Sequence, residues 1–599
     1  MKVKLLLKWF MAIAALFALH YNIEAQGMLR EVPLERQVDK SSLVVEGLVV
    51  AKKSVWNAEQ NRILTLNTVE VYKVFKGKTN LKIEVVTPGG TVGSITQTVT
   101  PSLSLNEGEI GVFTLYDNNM VLSERANSSF KKYKTYSSLQ GFYKYDLLDN
   151  SATNPFAKSK NISNGLHNRI TKITGQPYKE LVRFDVKVES EKLKNLSSKA
   201  LAPVIIGFSP ASVSAGNGDS LTIVGTGFGD EQGMVEFKNA DDGGDTYIAA
   251  LDSQVLSWTD EEIVVEVPSK AGTGSIRITD SNDASVVSTG DDLFISYALT
   301  NRVNSGSAFL IQHIGVNGTG VTWDFNIDFD SNTQAKEAFL RAFDTWRCET
   351  GINWVIGTTT SINQGVVDGT NVILFDDADP LDEGVLGQCI TTSGSCGDTR
   401  DVVTELDIVF SNDIDDPETG LEESWYFGTG LPAFEQYDFE SVALHELGHG
   451  HQLAHVIETN DVMHYAISNS ESQRFLSGNN ATAAGIIQNF STTTQMCGQT
   501  MMTDYSGAGC SLRVQGEVLA NEVRVYPNPV ENILYIKNGA SANMDEAILC
   551  DVSGRVILRV DLTNASRTKR IDLSHISKGV YLMNIFLGNA KIEKKVVVE

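Results

Sequence analysis

The sequence has little positive charge, few cysteines and a single long apolar run. Its 49 basic residues stand against 74 acidic ones, a formal net charge of −25, and a surface with this balance does not neutralise nucleic-acid phosphates. Beyond the first 25 residues, no apolar segment approaches the roughly 20 residues that cross a bilayer. The composition therefore predicts neither a nucleic-acid partner nor a stable membrane span.

The chain is too long for one compact core. Its 599 residues suggest about four domains, and an apolar share of 42% with 21% charged residues is ordinary for globular domains. Residues 1–25 have the composition of a secretory signal peptide, because three lysines precede the apolar run from Trp9 to Leu19. We therefore expect a secreted or outer-surface protein.

The six cysteines fit an oxidising compartment. Cys389 with Cys396, and Cys497 with Cys510, are close enough in sequence to be candidate disulfides. Sequence alone does not fix the pairing, and buried free thiols are the alternative.

Residues 26–197 and 198–297 both have the pattern of all-β domains, with short apolar or alternating segments that stop at glycine or proline. The first shows no cluster of catalytic residue types. The second contains, in order, the motifs Ser209-Pro210, Gly225-Thr226-Gly227-Phe228-Gly229, Trp258, Val267-Pro268 and Ala271-Gly272-Thr273-Gly274. With these motifs it resembles the IPT/TIG immunoglobulin-like family, which implies a β-sandwich that serves as a spacer or binding module.

Residues 516–599 form a further all-β unit, predicted to be a small sandwich. Asn528 between two prolines, the turn at 551–554 and Gly579-Val580-Tyr581 resemble the C-terminal sorting domain of type IX secretion. The resemblance implies a partner in the secretion machinery.

Residues 298–515 mix the two periodicities, which predicts an α+β domain. Ala338, Ala342 and Trp346 recur at helical spacing, and Glu405–Phe410 alternates at period two like a half-buried strand. Acidic loops at 375–384 and 411–420 offer oxygen ligands for Ca²⁺, although a solvated loop is the alternative because no EF-hand spacing is present.

The candidate chemistry lies in the segment 440–465, which holds five of the nine histidines. His445 and His449 are four residues apart, so on a helix they share one face and can bind one metal ion. Glu446 lies beside that face, where its carboxylate can reach a water. Asp438 is placed to begin the helix. A catalytic zinc takes three protein ligands, and His455 is the expected third.

The pattern His445-Glu446-x-x-His449-x-x-x-x-x-His455, with Met463 eight residues later, resembles the metzincin metallopeptidases, in particular the matrixin-like members. The resemblance implies a secreted zinc endopeptidase with Glu446 as general base and Met463 as a floor under the metal. Tyr465 occupies the place of a tyrosine that approaches the metal or the oxyanion in some members.

Gln452 departs from this pattern, because the family has glycine there. A side chain in the left-handed conformation costs about 1 to 2 kcal/mol, which is small beside a zinc-binding energy of order 10 kcal/mol. The departure leaves His451 as an alternative third ligand.

The resemblance also implies that 338–354 is the first helix and following strand of the peptidase fold, and that Thr404–Phe410 is the edge strand lining the substrate. No cysteine precedes Cys348, so the matrixin latency cysteine is absent. Residues 26–197 therefore act as a propeptide by other means or not at all.

Three hypotheses follow. The first is a zinc endopeptidase that cleaves protein or peptide substrates. The second is a cell-surface binding or adhesion protein with an inactive peptidase-like domain, and the third is a purely structural zinc site, which usually has four ligands.

Overall fold

The computed structural model describes residues 28–118, 122, 129–198, 202–315, 320–397, 400–415, 422–506, 510, 523–539, 544, 546–551, 556–562, 568–587 and 590–599. The predicted signal peptide lies outside these ranges, as do parts of the 411–420 loop and of the 551–554 turn. In the described part of the chain, no helix is both long and apolar enough to cross a membrane.

The N-terminal domain is built on a closed barrel. Its first strand pairs with both the second and the sixth, and the third and seventh strands complete a five-stranded ring. Closure removes the exposed strand edges, and valine-rich strands fill the interior with buried side chains. The strands are β1 Leu43–Trp56, β2 Ile63–Lys76, β3 Lys82–Pro88, β4 Gly90–Val92, β5 Ile95–Thr100, β6 Ile110–Asp117, β7 Lys132–Thr135, β8 Phe142–Asp146, β9 Ser151–Asn154, β10 Ala157–Lys160 and β11 Lys179–Glu180.

The predominantly β character predicted for this domain is confirmed, and its described residues also contain three α-helices. They are α1 Leu34–Lys40, α2 Asn168–Thr174 and α3 Val186–Ser197. The first two cover one face of the sheet through Leu34, Val38 and Ile170. Short helices of this kind gain most of their stability from packing rather than from propensity, so the sequence pattern did not reveal them.

The second domain is a β-sandwich, as predicted. Two four-stranded sheets, β12-β14-β18-β17 and β16-β15-β19-β20, pack with the parallel pair β13-β21. Gly225 allows close packing, because a Cβ there would lie 2.1 Å from Val204 O. The strands are β12 Val204–Ser209, β13 Ser212–Ala215, β14 Ser220–Thr226, β15 Met234–Asn239, β16 Tyr247–Ala249, β17 Val255–Trp258, β18 Glu262–Glu266, β19 Ala271–Thr279, β20 Ser285–Val287 and β21 Phe294–Ala298.

The main sheet of the central domain has the order β25-β24-β26-β28-β27, with helices packed against it, and β22-β23 and β29-β30 form two small sheets beside it. All neighbours are parallel except the antiparallel pair β27–β28. The elements are β22 Asn301–Asn304, β23 Ser307–Leu310, β24 Val321–Asn326, α4 Ile327–Ser331, α5 Thr333–Thr350, β25 Trp354–Thr360, β26 Asn371–Phe375, β27 Gly387–Gly397, β28 Arg400–Phe410, β29 Ser424–Tyr426, β30 Gln436–Asp438, α6 Phe439–Gly450 and α7 Gly478–Thr493.

The predicted helix at 338–346 is confirmed within α5, and its apolar stripe is buried. The predictions for Glu405–Phe410 were wrong in two ways. The segment belongs to β28, which lies between β26 and β27 rather than at an edge. It is also buried on both faces. On its polar face, Glu405 accepts hydrogen bonds from the backbone of Asp368 and Gly369, and Asp407 accepts one from Val372. Alternation of polar residues on a strand therefore did not mean exposure here.

The predicted disulfide pairs were wrong, although disulfides are present. Cys348 pairs with Cys510, and Cys396 pairs with Cys497. Cys389 and Cys396 lie seven residues apart on the same strand, β27, and an extended strand separates such residues by about 23 Å at 3.3 Å per residue. Cys389 is a buried free thiol, as is Cys550.

The C-terminal domain has two sheets, β31-β32-β35 and β34-β33-β36-β37, around a core of its own. By contrast, the second and central domains share one continuous apolar core. The C-terminal strands are β31 Val523–Tyr526, β32 Ile533–Asn538, β33 Glu546–Asp551, β34 Val556–Asp561, β35 Thr568–Asp572, β36 Gly579–Leu587 and β37 Ala590–Val598.

Candidate metal centre

Helix α6 carries the first two histidines and is buried along its whole length. Asp438 caps its N-terminus by accepting a hydrogen bond from Ser441 N at 3.0 Å, as the sequence predicted. Trp346 on α5 donates from Nε1 to Leu444 O at 2.7 Å, which fixes α6 against α5. The helix is therefore held at its beginning and at its middle before it reaches the site.

The chain reverses directly after α6. The helix ends at Gly450, and Gln452 follows in the left-handed conformation with a φ of 66°. The Gln452 side chain donates to Gly450 O at 3.2 Å, which partly satisfies the helix C-terminus. The turn expected at this position thus forms without the glycine, and it brings His455 back towards His449.

Three of the predicted ligands, His445, His449 and His455, lie together. One nitrogen from each lies within 4.8 Å of the others, and the two Nε2 atoms of His449 and His455 are 3.1 Å apart. Three nitrogens around a tetrahedral zinc at 2.0–2.1 Å are about 3.3 Å apart. The spacing therefore fits one zinc ion with small adjustments.

The hydrogen bonds of the Nδ1 atoms, which face away from the site, fix which nitrogen of each neutral ring carries the proton. Nδ1 of His445 donates to Val462 O at 2.7 Å, and Nδ1 of His449 donates to Leu453 O at 2.9 Å. Nδ1 of His455 donates to the carboxylate of Asp241 at 2.8 Å. All three neutral rings therefore present an unprotonated Nε2 inward. Lone pairs that face each other at 3.1 Å repel unless a cation lies between them, so the residues fit a metal ion.

Burial favours the neutral form of His445 and His449. It lowers the pKa of His445 well below its ordinary value, and it lowers the pKa of His449 to about 3 with a further contribution from the neighbouring His455. Zinc binds the neutral imidazole. These two rings are therefore in the metal-binding form across the neutral range.

Glu446 is enclosed beside the histidines. Neither carboxyl oxygen makes a hydrogen bond of ordinary geometry in the described part of the chain, and burial raises the pKa of this carboxyl well above its usual range, against a smaller lowering by the nearby Cys389 backbone N–H. Gly387, at the start of β27, makes the space, because a Cβ there would lie 3.1 Å from Oε1 of Glu446. A buried carboxyl without a partner is costly unless a ligand or cation uses it.

Met463 and Tyr465 lie on the segment that returns below the site. A Cβ on Gly448 would lie 2.3 Å from Sδ of Met463, so the sulfur packs tightly against α6. The Tyr465 hydroxyl donates to Pro155 O of the N-terminal domain at 2.9 Å. The role of Tyr465 near the metal or oxyanion stays a prediction.

His451 points away from the three histidines. Its Nε2 lies 3.1 Å from Thr350 Oγ1, and its ring packs 5.5 Å from those of Trp346 and Trp354. The alternative ligand is therefore placed in the core behind the helix.

Sequence reasoning missed Asp241, Gly387 and the strand β5. Asp241 is separated from His455 by 214 residues, and nothing in its local sequence points to a metal site.

The acidic loops were predicted as calcium sites. In the first loop, the carboxylate of Asp376 accepts hydrogen bonds from the backbone of Leu381 and Asn412. Calcium binding stays a prediction.

Two family models match parts of the chain. Residues 524–599 match the secretion system C-terminal sorting domain, and residues 203–295 match the IPT/TIG domain. Both resemblances are thereby confirmed. The protein is secreted or located on the outer cell surface, and its C-terminal domain implies an interaction with the type IX secretion machinery. Neither matched range contains the histidine site.

A curated relative is the cyclomaltodextrin glucanotransferase of Bacillus sp. (strain 1-1), 27% identical over 150 residues, which are 24% of this chain and 19% of that enzyme. The chain thus spans about a fifth of the relative that it matches. A solved structure titled "Biofilm associated protein - BSP domain" aligns over 93% of this chain and 81% of that chain, with 10% identity and a TM-score of 0.17.

Proposed function

We propose that the central domain is a metzincin-like zinc endopeptidase that acts outside the cell. The observation that carries this proposal is the pair of facing Nε2 atoms of His449 and His455, 3.1 Å apart with both Nδ1 atoms engaged as donors. The position of α6, which bears two of the histidines and packs beside β27 of the mixed sheet, supports the proposal.

The chain's residues divide the work of hydrolysis. A zinc ion held by His445, His449 and His455 would polarise the scissile carbonyl and make a water more acidic. Glu446 would take a proton from the attacking water and pass it to the amine nitrogen as the C–N bond breaks. Gly387 leaves room for the Glu446 side chain between β27 and α6. A structural zinc would not need this unpartnered carboxyl.

The test uses the chain without its signal peptide. We expect one zinc per chain and a slow basal cleavage of an unfolded protein, measured by peptide release, which the β5 variant described below should accelerate. Glu446→Gln should keep the zinc and lose at least about a hundredfold in rate, because general-base catalysis contributes 10²–10⁴-fold. Glu422→Gln, an exposed change in the same domain, should have no effect.

The second candidate function is surface binding by a chain whose peptidase-like domain is inactive. The IPT/TIG match favours it, since such domains serve as binding modules. One zinc per chain without cleavage, including in the strand variants described below, would support this candidate over the first.

A further inference from the structure

The outer nitrogen of His455 is held differently from those of the other two histidines. His445 and His449 donate to backbone carbonyls of the central domain. His455 instead donates to a side-chain carboxylate, Asp241 Oδ1 at 2.8 Å, and this residue belongs to the IPT/TIG domain. The candidate metal centre is therefore assembled from two domains.

The turn that carries Asp241 is rigid. It lies in the 3₁₀ turn Ala240–Asp242, which Asn239 caps by accepting from Asp241 N at 3.1 Å. Ala240 N donates to Lys270 O at 2.9 Å, which ties the turn to the neighbouring chain. The carboxylate is therefore presented by a braced turn rather than by a mobile loop.

Both oxygens of Asp241 are engaged. Lys270 Nζ lies 2.7 Å from Oδ2, while Oδ1 accepts from His455. The lysine thus keeps a positive charge next to the carboxylate and leaves one oxygen for the imidazole. A carboxylate held this way fixes both the tautomer and the ring plane of the histidine.

Further contacts between the IPT/TIG domain and the segment after His455 surround the Asp241–His455 hydrogen bond. Thr273 Oγ1 donates to Glu458 Oε1 across it at 2.7 Å. A Cβ on Gly272 would lie 2.5 Å from Ile457 Cδ1, and one on Gly243 would lie 3.2 Å from the Tyr465 ring. The IPT/TIG domain therefore packs closely along the segment that follows His455.

We propose that Asp241 is the positioning residue of the third zinc ligand, so that the IPT/TIG domain completes the metal centre instead of acting only as a spacer. This inference rests on the metal-binding part of the proposed function and does not require that the protein cleaves peptides.

The test measures metal binding by the full-length protein, with zinc competed against a chromophoric chelator. Asp241→Ala should weaken zinc binding about 10- to 100-fold, the range found when outer-shell partners of metal ligands are removed. Asp241→Asn keeps an acceptor oxygen and should recover part of that loss. Asp252→Asn, which makes the same charge change in another 3₁₀ turn of this domain, should leave the affinity unchanged.

Cobalt(II) absorption provides a readout that a purely structural role would not move. We expect Asp241→Ala and Asp241→Asn to alter the visible bands of the bound cobalt, because the His455 ring is no longer fixed. Wild-type affinity and an unchanged cobalt spectrum in Asp241→Ala would overturn the assignment. Failure of the wild type to bind either metal would overturn the proposed function as well, whereas metal binding without cleavage would count against the peptidase alone.

An independent observation concerns the edge of the sheet beside the site. β27 passes Glu446 at Gly387, and its outer edge is paired with β5 of the N-terminal domain in an antiparallel ladder from Cys389–Thr100 to Gly394–Ile95. The start of the same edge is also taken, since Arg30 N donates to Gly384 O at 2.6 Å and Leu386 N donates to Met28 O at 2.9 Å.

An extended peptide that enters such a site adds to the exposed strand edge. In this structure β5 occupies that edge, and the segment that continues it, 101–105, lines a cavity of about 430 Å³ together with His449 and His455. We infer that the N-terminal domain holds the proposed peptidase latent by strand occupancy, without the cysteine of the matrixins. This inference also rests on the proposed function.

Proline substitutions test the occupancy. Successive N–H groups of a strand point to opposite sides, so Thr98→Pro/Val99→Pro removes at least one N–H directed at β27. Thr91→Pro/Val92→Pro on β4, which does not touch β27, is the matched control. The β5 variant should speed hydrogen exchange in 387–397 and raise the cleavage rate at least about tenfold over wild type, and the β4 variant should do neither.

Two results would overturn the latency. One is wild-type cleavage as fast as that of the β5 variant, a result that contradicts the latency but not the proposed peptidase activity. The other is fast exchange along β27 without any gain in cleavage. If no version cleaves although each binds one zinc, the proposed function fails too.

Discussion

Gln452 offers a test of why the helix reversal tolerates a side chain where glycine is expected. Its left-handed backbone costs about 1 to 2 kcal/mol relative to an ordinary conformation. Two contacts of its amide oppose this cost, because Nε2 donates to Gly450 O at 3.2 Å and to His449 O at 3.4 Å. Such bonds contribute about 0.5 to 1.5 kcal/mol together when they are this long.

Two substitutions separate these effects. Gln452→Ala keeps the strained backbone and loses both contacts, so we expect the turn to be destabilised by about 0.5 to 1.5 kcal/mol. Gln452→Gly removes the backbone strain but loses both hydrogen bonds. It also increases the conformational entropy of the unfolded chain, which destabilises the folded turn by about 0.5 to 1 kcal/mol. We expect its stability to lie within about 1 kcal/mol of the wild type.

Because the chain has several domains, one global unfolding energy is not defined. Native-state hydrogen exchange in residues 449–456 measures the opening of the turn directly. The expected order of protection is Gln452→Gly similar to wild type, with Gln452→Ala lower. Equal protection in Gln452→Ala and the wild type would refute the capping role of the side chain, and a gain of more than about 2 kcal/mol in Gln452→Gly would show that the strain is uncompensated.

Three further predictions concern other parts of the molecule. Gly387→Ala should lower the cleavage rate about tenfold to a hundredfold with unchanged zinc affinity, because the three nearest atoms to the new methyl belong to Val442 and Glu446 and none to a histidine; a parallel loss of zinc would contradict this. Burial lowers the pKa of His313 to about 4, so the folded central domain binds fewer protons at this residue than the unfolded chain does, and His313 should lower the stability of that domain by up to about 3 kcal/mol from pH 6.5 to pH 4. His313→Phe should make this pH dependence shallower in the melting transition of the central domain, and an unchanged slope would contradict it. Thiol titration should find no reactive cysteine in the native protein and two after denaturation, Cys389 and Cys550; four or six would contradict the disulfide assignment.

Local patterns predicted the elements that carry the site. The 3.6-residue period around Ala338 and Trp346 gave the helix α5, and Asp438 gave the start of α6. The prediction that His445 and His449 lie on one helix face required only their four-residue spacing and the geometry of an α-helix. These predictions succeeded because each depends on residues within a few turns of one another.

Predictions that required distant partners failed. The disulfides join residues 162 and 101 positions apart, so proximity in sequence selected the wrong pairs. The alternation in β28 indicated an exposed face, but both carboxylates are covered, because Asp368 in the preceding loop donates to Glu405 and Val372 in β26 donates to Asp407. The period of a sequence pattern shows which positions are polar. It does not show which backbone groups will donate hydrogen bonds to those side chains in the fold.

The sequence by itself determined that the chain has several domains, that it carries a C-terminal sorting domain and an IPT/TIG domain, and that histidines lie at metal-binding spacing with a glutamate beside them. Only the tertiary structure decided that Asp241 supports His455 and that β5 lies on the edge of β27. Both contacts join segments more than 200 residues apart, and such contacts form only when whole domains pack, through complementary surfaces that no local sequence pattern encodes.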